Sequence, residues 1–316
     1  MVHLLDLNLI PLAGESLGTR SSAITIQGKN TQFIIDPGVD VAPRRYDLPP
    51  HSMELNRRNE HRATILQVMK ELPVAGFWVS HYHYDHFPKI NEAVKISKVM
   101  HHWDPQLQDF PIAPFFIKDP KGNLNRNQTR RARKFTIALK KLKQDFFPAE
   151  NSSFQTDEFV IKGSPILSHG EKSPLGYVVG CSITYKDTKF CYTGDVVGIP
   201  LEEHVNWILS EQPDILIMDG PMKEQLPAFK ENIKKVIDQT NIKYLTIEHH
   251  LLRSKNWTDL IADEIDYIKE SGIQIRCYAE LLGKKIELLE VSRKELFEFL
   301  PESAPVYTKG YKHKKR

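Results

Sequence analysis

Ser80-His81-Tyr82-His83-Tyr84-Asp85-His86 places three histidines and an aspartate close together in the pattern H-x-H-x-D-H. Just before it runs Val74-Ala75-Gly76-Phe77-Trp78-Val79, apolar and β-prone, which reads as a buried strand. The cluster is therefore expected on the loop at that strand's C-terminal end. Alternate side chains of extended backbone point the same way, so His81, His83 and Asp85 can face one pocket. His86 reaches that pocket only if the chain turns. Neutral imidazoles and a carboxylate are ligand types suited to zinc and neighbouring transition metals. A lone histidine is most often a satisfied core or surface residue. Four such groups directly after a buried strand read instead as a metal site.

At 316 residues, with 41% hydrophobic and 26% charged residues, the chain has an ordinary soluble composition and length enough for a large core. No run approaches the roughly 18–20 apolar residues that span a bilayer, so no membrane partner is expected. The start, Met1 to Asp6, lacks the basic and apolar parts of a signal peptide. Three cysteines, Cys181, Cys191 and Cys277, are few and widely spaced, which points to a reducing, cytoplasmic setting. Cys181 and Cys191 can lie on paired strands, with two buried thiols the expected outcome.

The net charge of +3 is unevenly spread. Lys118 to Phe147 holds ten Lys or Arg against two Asp, a local excess of +8 that leaves the remainder at about −5. A second basic cluster closes the chain at 309–316. Basic helix faces are usually solvated. Their functional alternative is contact with phosphate, on an anionic small molecule or a nucleic acid.

Along the chain, Ala23 to Gln27 and Gln32 to Asp36 read as strands around a turn at Gly28-Lys29-Asn30, stopped by Pro37-Gly38. Asp36 is either a turn cap or an acceptor that orients the metal loop. Gly14 to Ser22 is a polar loop in which Arg20 is a candidate for an anionic substrate. Helices are expected at about Met53–Leu72, Pro88–Ser97 and Gln128–Phe147, the last with Ile137, Leu139 and Leu142 inward. The stretch at about 104–150 reads as an insertion or lid. His101 and His102 could border the site, but no ligand spacing supports them as ligands. Further on, His169 ends one short strand and Asp195 follows the strand Lys189–Thr193. Strand Asp214–Asp219, helix Leu226–Gln239, strand Lys243–Glu248, helix Trp257–Ser271 and strand Ile273–Cys277 follow, with His249 and His250 after the second of these strands. Thus an apolar strand followed by His or Asp occurs at 81–86, at His169, at Asp195 and at 249–250. Together these suggest strand ends converging on one crevice.

In these residues the chain resembles the metallo-β-lactamase superfamily: the H-x-H-x-D-H signature, the later His169, Thr193-Gly194-Asp195 and the final histidine near 249, in that order between about 20 and 280. The Glu15 to Ser21, Asp36-Pro37-Gly38 and Glu248 to Arg253 stretches further resemble an archaeal family of predicted metal-dependent hydrolases, a match that carries no substrate with it. The resemblance implies an α/β fold, a four-layer αββα sandwich, spanning 1–316 as one domain with the helical insertion and basic tail. It also implies two divalent metal ions, zinc first and iron or manganese as alternatives. His81, His83 and His169 would hold one, Asp85, His86 and His249 the other, with Asp195 bridging. His249 is preferred to His250 because tRNA-processing members carry an arginine four residues after that ligand, as Arg253 is here. His250 would then donate a hydrogen bond to charge developing on the substrate. The chain lacks the flavodoxin-like domain of the di-iron oxidoreductase branch, which would also show a glutamate where His83 stands.

The expected function is a metal-dependent hydrolase with a water activated between the two ions and Asp85 orienting it. A phosphodiester or nucleic-acid-type substrate is favoured by the basic segments. A small ester, thioester or lactone, walled by Tyr82, Tyr84, Phe115 and Phe116, is the alternative. A mononuclear iron oxygenase on the same scaffold is a further one.

Overall fold

Apolar alternation builds the first sheet. In the computed structural model, which describes residues 2–88, 107–171 and 173–301, it comprises β1 (Val2–Leu4), β2 (Leu7–Pro11), β3 (Ile24–Gln27), β4 (Gln32–Ile35), β5 (Val74–Val79), β6 (Phe115–Ile117) and β7 (Phe146–Pro148), paired in that order. The meander β1 to β4 is antiparallel, and β4 to β7 run parallel. Successive side chains alternate faces. Phe33, Ile35, Trp78 and Phe116 therefore enter the core between the sheets. Ile34, Phe77, Val79, Phe115 and Ile117 face the other way, onto helices α1 (Ser52–Val68) and α2 (Arg126–Lys141).

The second half of the chain forms β8 (Ser153–Gln155), β9 (Val160–Gly163), the small pair β10 (Leu167–Ser168) and β11 (Tyr177–Val178), then β12 (Cys181–Tyr185), β13 (Thr188–Tyr192), β14 (Ile215–Asp219), β15 (Tyr244–Glu248) and β16 (Gln274–Arg276). Seven of these pair in the order β16-β15-β14-β13-β12-β9-β8, with β13 to β16 parallel. Helices α3 (Glu202–Glu211), α4 (Leu226–Gln239), α5 (Trp257–Leu260) and α6 (Ala262–Glu270) cover it through Ile208, Phe229, Ile233, Val236 and Ile268. The result is the expected αββα sandwich. No described helix is long and apolar enough to cross a membrane.

Several expectations change in detail. The stretch read as an insertion or lid supplies, within its described part, β6, α2 and β7: two strands of the first sheet and their crossover helix. Helix α2 stops at Lys141 because Lys143 turns left-handed at φ 57°. Its buried stripe is Gln128, Ala132, Phe135 and Leu139, while Ile137, expected inward, is 44% exposed. Helix α1 ends at Val68, where Gln32 Nε2 donates to the Val68 and Leu72 carbonyls. The helix expected at 257–271 breaks into α5 and α6 at Ile261. Cys181 and Cys191 lie on neighbouring strands as buried free thiols. Beyond Pro88, the helix expected at 88–97 falls outside the described residues, as do His101, His102 and the basic tail.

Candidate metal centre

The parallel strands deliver their C-terminal ends to one side, and the polar residues sit there. Asp36 follows β4 in the left-handed region at φ 44°, a conformation that aims its carboxylate back at the loop after β5. It accepts from Ser80 N at 2.7 Å, Ser80 Oγ at 2.5 Å, Tyr192 Oη at 2.7 Å and His86 Nδ1 at 2.8 Å. Its role is thus that of the acceptor, and it fixes His86 with Nε2 inward. Two residues on, Gly38 lets the same loop pass: a Cβ there would stand 2.3 Å from Phe87 N and 2.5 Å from His86 N.

The loop 81–86 turns so that His86 joins His81, and the later strand ends complete the set. Asp195 Oδ2 lies 3.6 Å from His81 Nε2, 3.2 Å from His86 Nε2, 3.5 Å from His169 Nε2 and 3.2 Å from His249 Nε2. His83 Nδ1 is 2.9 Å from His81 Nε2, and Asp85 Oδ2 is 3.7 Å from His249 Nε2. Three overlapping groups have donor atoms within 4.8 Å of one another: His81, His83, His169 and Asp195; Asp85, His86 and His249; Asp195, His249 and His250. All seven residues expected as ligands therefore meet at one point, with Asp195 common to both sides. His249 occupies φ 69°, which points its ring into the crevice rather than along the strand.

Electrostatics keep most of this set ready to ligate. Burial, then the neighbouring His86 and His83, hold His81 well below the usual imidazole range. Burial and His169 bring His83 down to about 3. Burial alone would raise Asp195 and Asp85, but the surrounding imidazoles outweigh it and keep both carboxylates ionised. His86 and His249 are pushed the other way, His249 up to about 10, because the carboxylates beside them outweigh burial. Burial pushes Asp219 up to about 7, with Asp195 adding to it.

His250, expected to act on the substrate, is anchored: its Nδ1 sits 2.9 Å from both Asp219 oxygens and its backbone N–H donates to Oδ1 at 3.1 Å. Nε2 is the ring's remaining polar atom. Arg20, the candidate for an anionic substrate, has its guanidinium forked onto Glu290 at 2.6 and 2.7 Å. Tyr82, Phe115 and Phe116 are core residues rather than pocket walls, while Tyr84 is exposed beneath the Arg131 guanidinium, 4.2 Å from its ring centroid. Two partners escaped the sequence reading. Glu15 Oε2 holds His249 Nδ1 at 2.6 Å, and nothing near Glu15 in sequence announces this contact across 234 positions. Asp219 ends the apolar strand β14, so the pattern that located Asp195 could have located it too.

Does the pocket suit metal ions? Among the buried side-chain atoms without a hydrogen-bond partner are His86 Nε2, His169 Nε2 and Asp195 Oδ1, all in this cluster. Buried polar atoms rarely stay unpaired. Nitrogen and oxygen donors converging on one pocket, with no cysteine among them, fit divalent transition metals.

Fold and site together define the metallo-β-lactamase class. The profile described as "Beta-lactamase superfamily domain" matches residues 31–239. The chain belongs to this superfamily and, within it, to the UPF0282 family. It is 32% identical over 306 residues to a UPF0282 protein of Sulfurisphaera tokodaii, covering 92% of this chain and 93% of that one. Against a UPF0282 protein of Metallosphaera sedula the identity is 32% over 300 residues, with 91% of each covered. Among solved structures, the metallo-beta-lactamase fold protein YhfI of Bacillus subtilis superposes with a TM-score of 0.51 at 14% identity, over 85% of this chain and 94% of that one. That likeness establishes the fold.

Proposed function

We propose that this chain is a hydrolase of anionic phosphodiesters, nucleic acids included, that works with two divalent metal ions. His81, His83 and His169 would hold one ion and Asp85, His86 and His249 the other, with Asp195 between them. One observation carries the reading: a single carboxylate oxygen, Asp195 Oδ2, faced by four imidazole Nε2 atoms at 3.2 to 3.6 Å. Zinc suits these donors, with iron and manganese as alternatives. Such a pair of ions supplies a water with pKa near about 7 and polarises the oxygen of the bond to be cut.

The protein's own residues do the rest. Asp36 and Glu15 accept from the Nδ1 of His86 and His249 and so turn each Nε2 inward. Ser80 Oγ, donating to Asp36, is left to accept from His81 Nδ1 at 3.0 Å. Asp85 is only 14% exposed, and it orients the attacking water from the rim. His250, held by Asp219, hydrogen-bonds the oxygen on which charge develops.

Charge supports the anionic substrate. Helix α2 carries Arg126, Arg130, Arg133, Lys140 and Lys141 exposed and has no acidic residue. It also touches the metal loop, because Arg131 Nη1 donates to Tyr82 O at 3.1 Å and the guanidinium covers Tyr84. A model phosphodiester, a short oligonucleotide and a thioester, each assayed with added zinc or manganese, test the reading. Metal-dependent cleavage of the first two is expected, with oligonucleotide binding that weakens steeply from about 50 to 200 mM salt. Turnover of the thioester alone, with no binding at the lower salt, would sink it.

A further inference from the structure

Arg253 closes the single turn, His249–Arg253, that follows β15. Its Nε donates to Glu15 Oε1 at 2.9 Å, and its Nη2 lies 3.0 Å from His249 Nε2 and 3.8 Å from Asp85 Oδ2. The Arg45 guanidinium grips its backbone carbonyl at 2.9 Å. The polar contacts of the Arg253 side chain thus fall on Glu15 and on two of the three residues assigned above to the second ion.

The chemistry at His249 makes these contacts exclusive. Glu15 engages Nδ1, which leaves one in-plane position at Nε2. A metal, a proton or a guanidinium N–H can take it, one at a time. Guanidinium is permanently charged and has no acceptor atom. In this position it is a cation set between Glu15 and Asp85, where a divalent ion would otherwise answer the same charges. With the side chain 17% exposed, a swing towards solvent is open to it.

We propose that Arg253 is a built-in counter-cation that competes with the second metal for His249 and Asp85. The first ion then binds independently of it, and the second binds only as the guanidinium swings away. The two sites fill at well-separated metal concentrations, so Arg253 sets the concentration at which the centre becomes dinuclear. This rests on the two-metal reading.

The test is a zinc titration of chelator-treated full-length protein by calorimetry, repeated with cobalt for its absorption bands. It compares wild type, Arg253→Met and Arg253→Lys, and melting temperatures are recorded with chelator and with saturating zinc. Arg253→Met should tighten the second dissociation constant about tenfold or more and leave the first unchanged. It should also melt lower than wild type in chelator, a gap that closes with zinc; Arg253→Lys, which keeps the charge on a shorter reach, should fall between. An unchanged or weaker second constant, with the same loss of melting temperature in both conditions, would make Arg253 a strut for Glu15 and overturn the proposal. Two ions with equal constants in all three proteins would overturn it alone. One ion in all three would overturn the two-metal reading along with it.

Discussion

At the scale of single residues the proposed centre turns on Asp195, whose Oδ2 faces the Nε2 atoms of His81, His86, His169 and His249 at 3.2 to 3.6 Å. Asp85 is the more informative to change, since it stands at the rim. Asp85→Asn should fold normally and lose at least about a hundredfold in turnover of any substrate found, the scale of a lost acid–base or orienting group; wild-type turnover would remove the role given to it. Asp36→Asn should weaken metal affinity by about 10–100-fold, measured by chelator competition, because His86 loses the acceptor that fixes its ring. His61 contributes to acid stability away from the candidate metal centre. His61, buried in α1 and joined to Thr19 Oγ1 at 2.8 Å, is lowered to about 3 by burial and by Arg57 and Lys284. Its unfolded form takes up a proton below about 6.5 and its folded form does not. Its contribution is therefore complete above that pH and is lost as pH falls towards 3, at up to about 1.4 kcal/mol per pH unit. Denaturant titrations at pH 7 and pH 5 should show a shallower loss for His61→Gln than for wild type. The seven ligand candidates were legible because they fall in the loops that follow apolar strands. Nothing near Glu15 announces it, and its partner lies 234 positions away, so only the folded chain reveals it.

Elements explain where the reading of the sequence stopped. The strands β6 and β7 are three residues each, too short for alternation to show, and they flank a helix dense in positive charge. That combination reads as an appended lid, yet Phe115, Ile117 and Phe135 pack in one cluster with Phe77 and Val79 of the strand that carries the metal loop. The helical spacing also points Ile137 inward, yet the buried stripe passes through Ala132, Phe135 and Leu139, and Ile137 lies off it. If α2 is built into the sheet, Phe135→Ala should cost about 3–5 kcal/mol of stability by denaturant titration. A detachable lid would lose little. Gly38→Ala offers a second test at this scale. The added methyl meets backbone of the His86–Phe87 segment, which cannot yield as a side chain tip would. The variant should show weakened metal binding even where it stays folded.

For the whole molecule, two sheets bring together residues from 36 to 250, and the ions would join both halves of the sandwich. His81, His83, Asp85 and His86 come from the first sheet, His169, Asp195 and His249 from the second half. The sandwich itself was legible only through the family resemblance that the H-x-H-x-D-H signature and the later His169, Asp195 and His249 carry. Which strands pair, and how the basic segment is seated, was not, because both depend on contacts distant in sequence. The central claim is that this chain holds two divalent ions through the residues around Asp195. Metal content of the purified protein by mass spectrometry tests it most directly, with Asp195→Ala prepared alongside. The account predicts close to two divalent ions per wild-type chain and at most one, weakly held, in the variant. A wild-type chain without bound metal after exposure to zinc, manganese or iron, or a variant that keeps both ions, would contradict it.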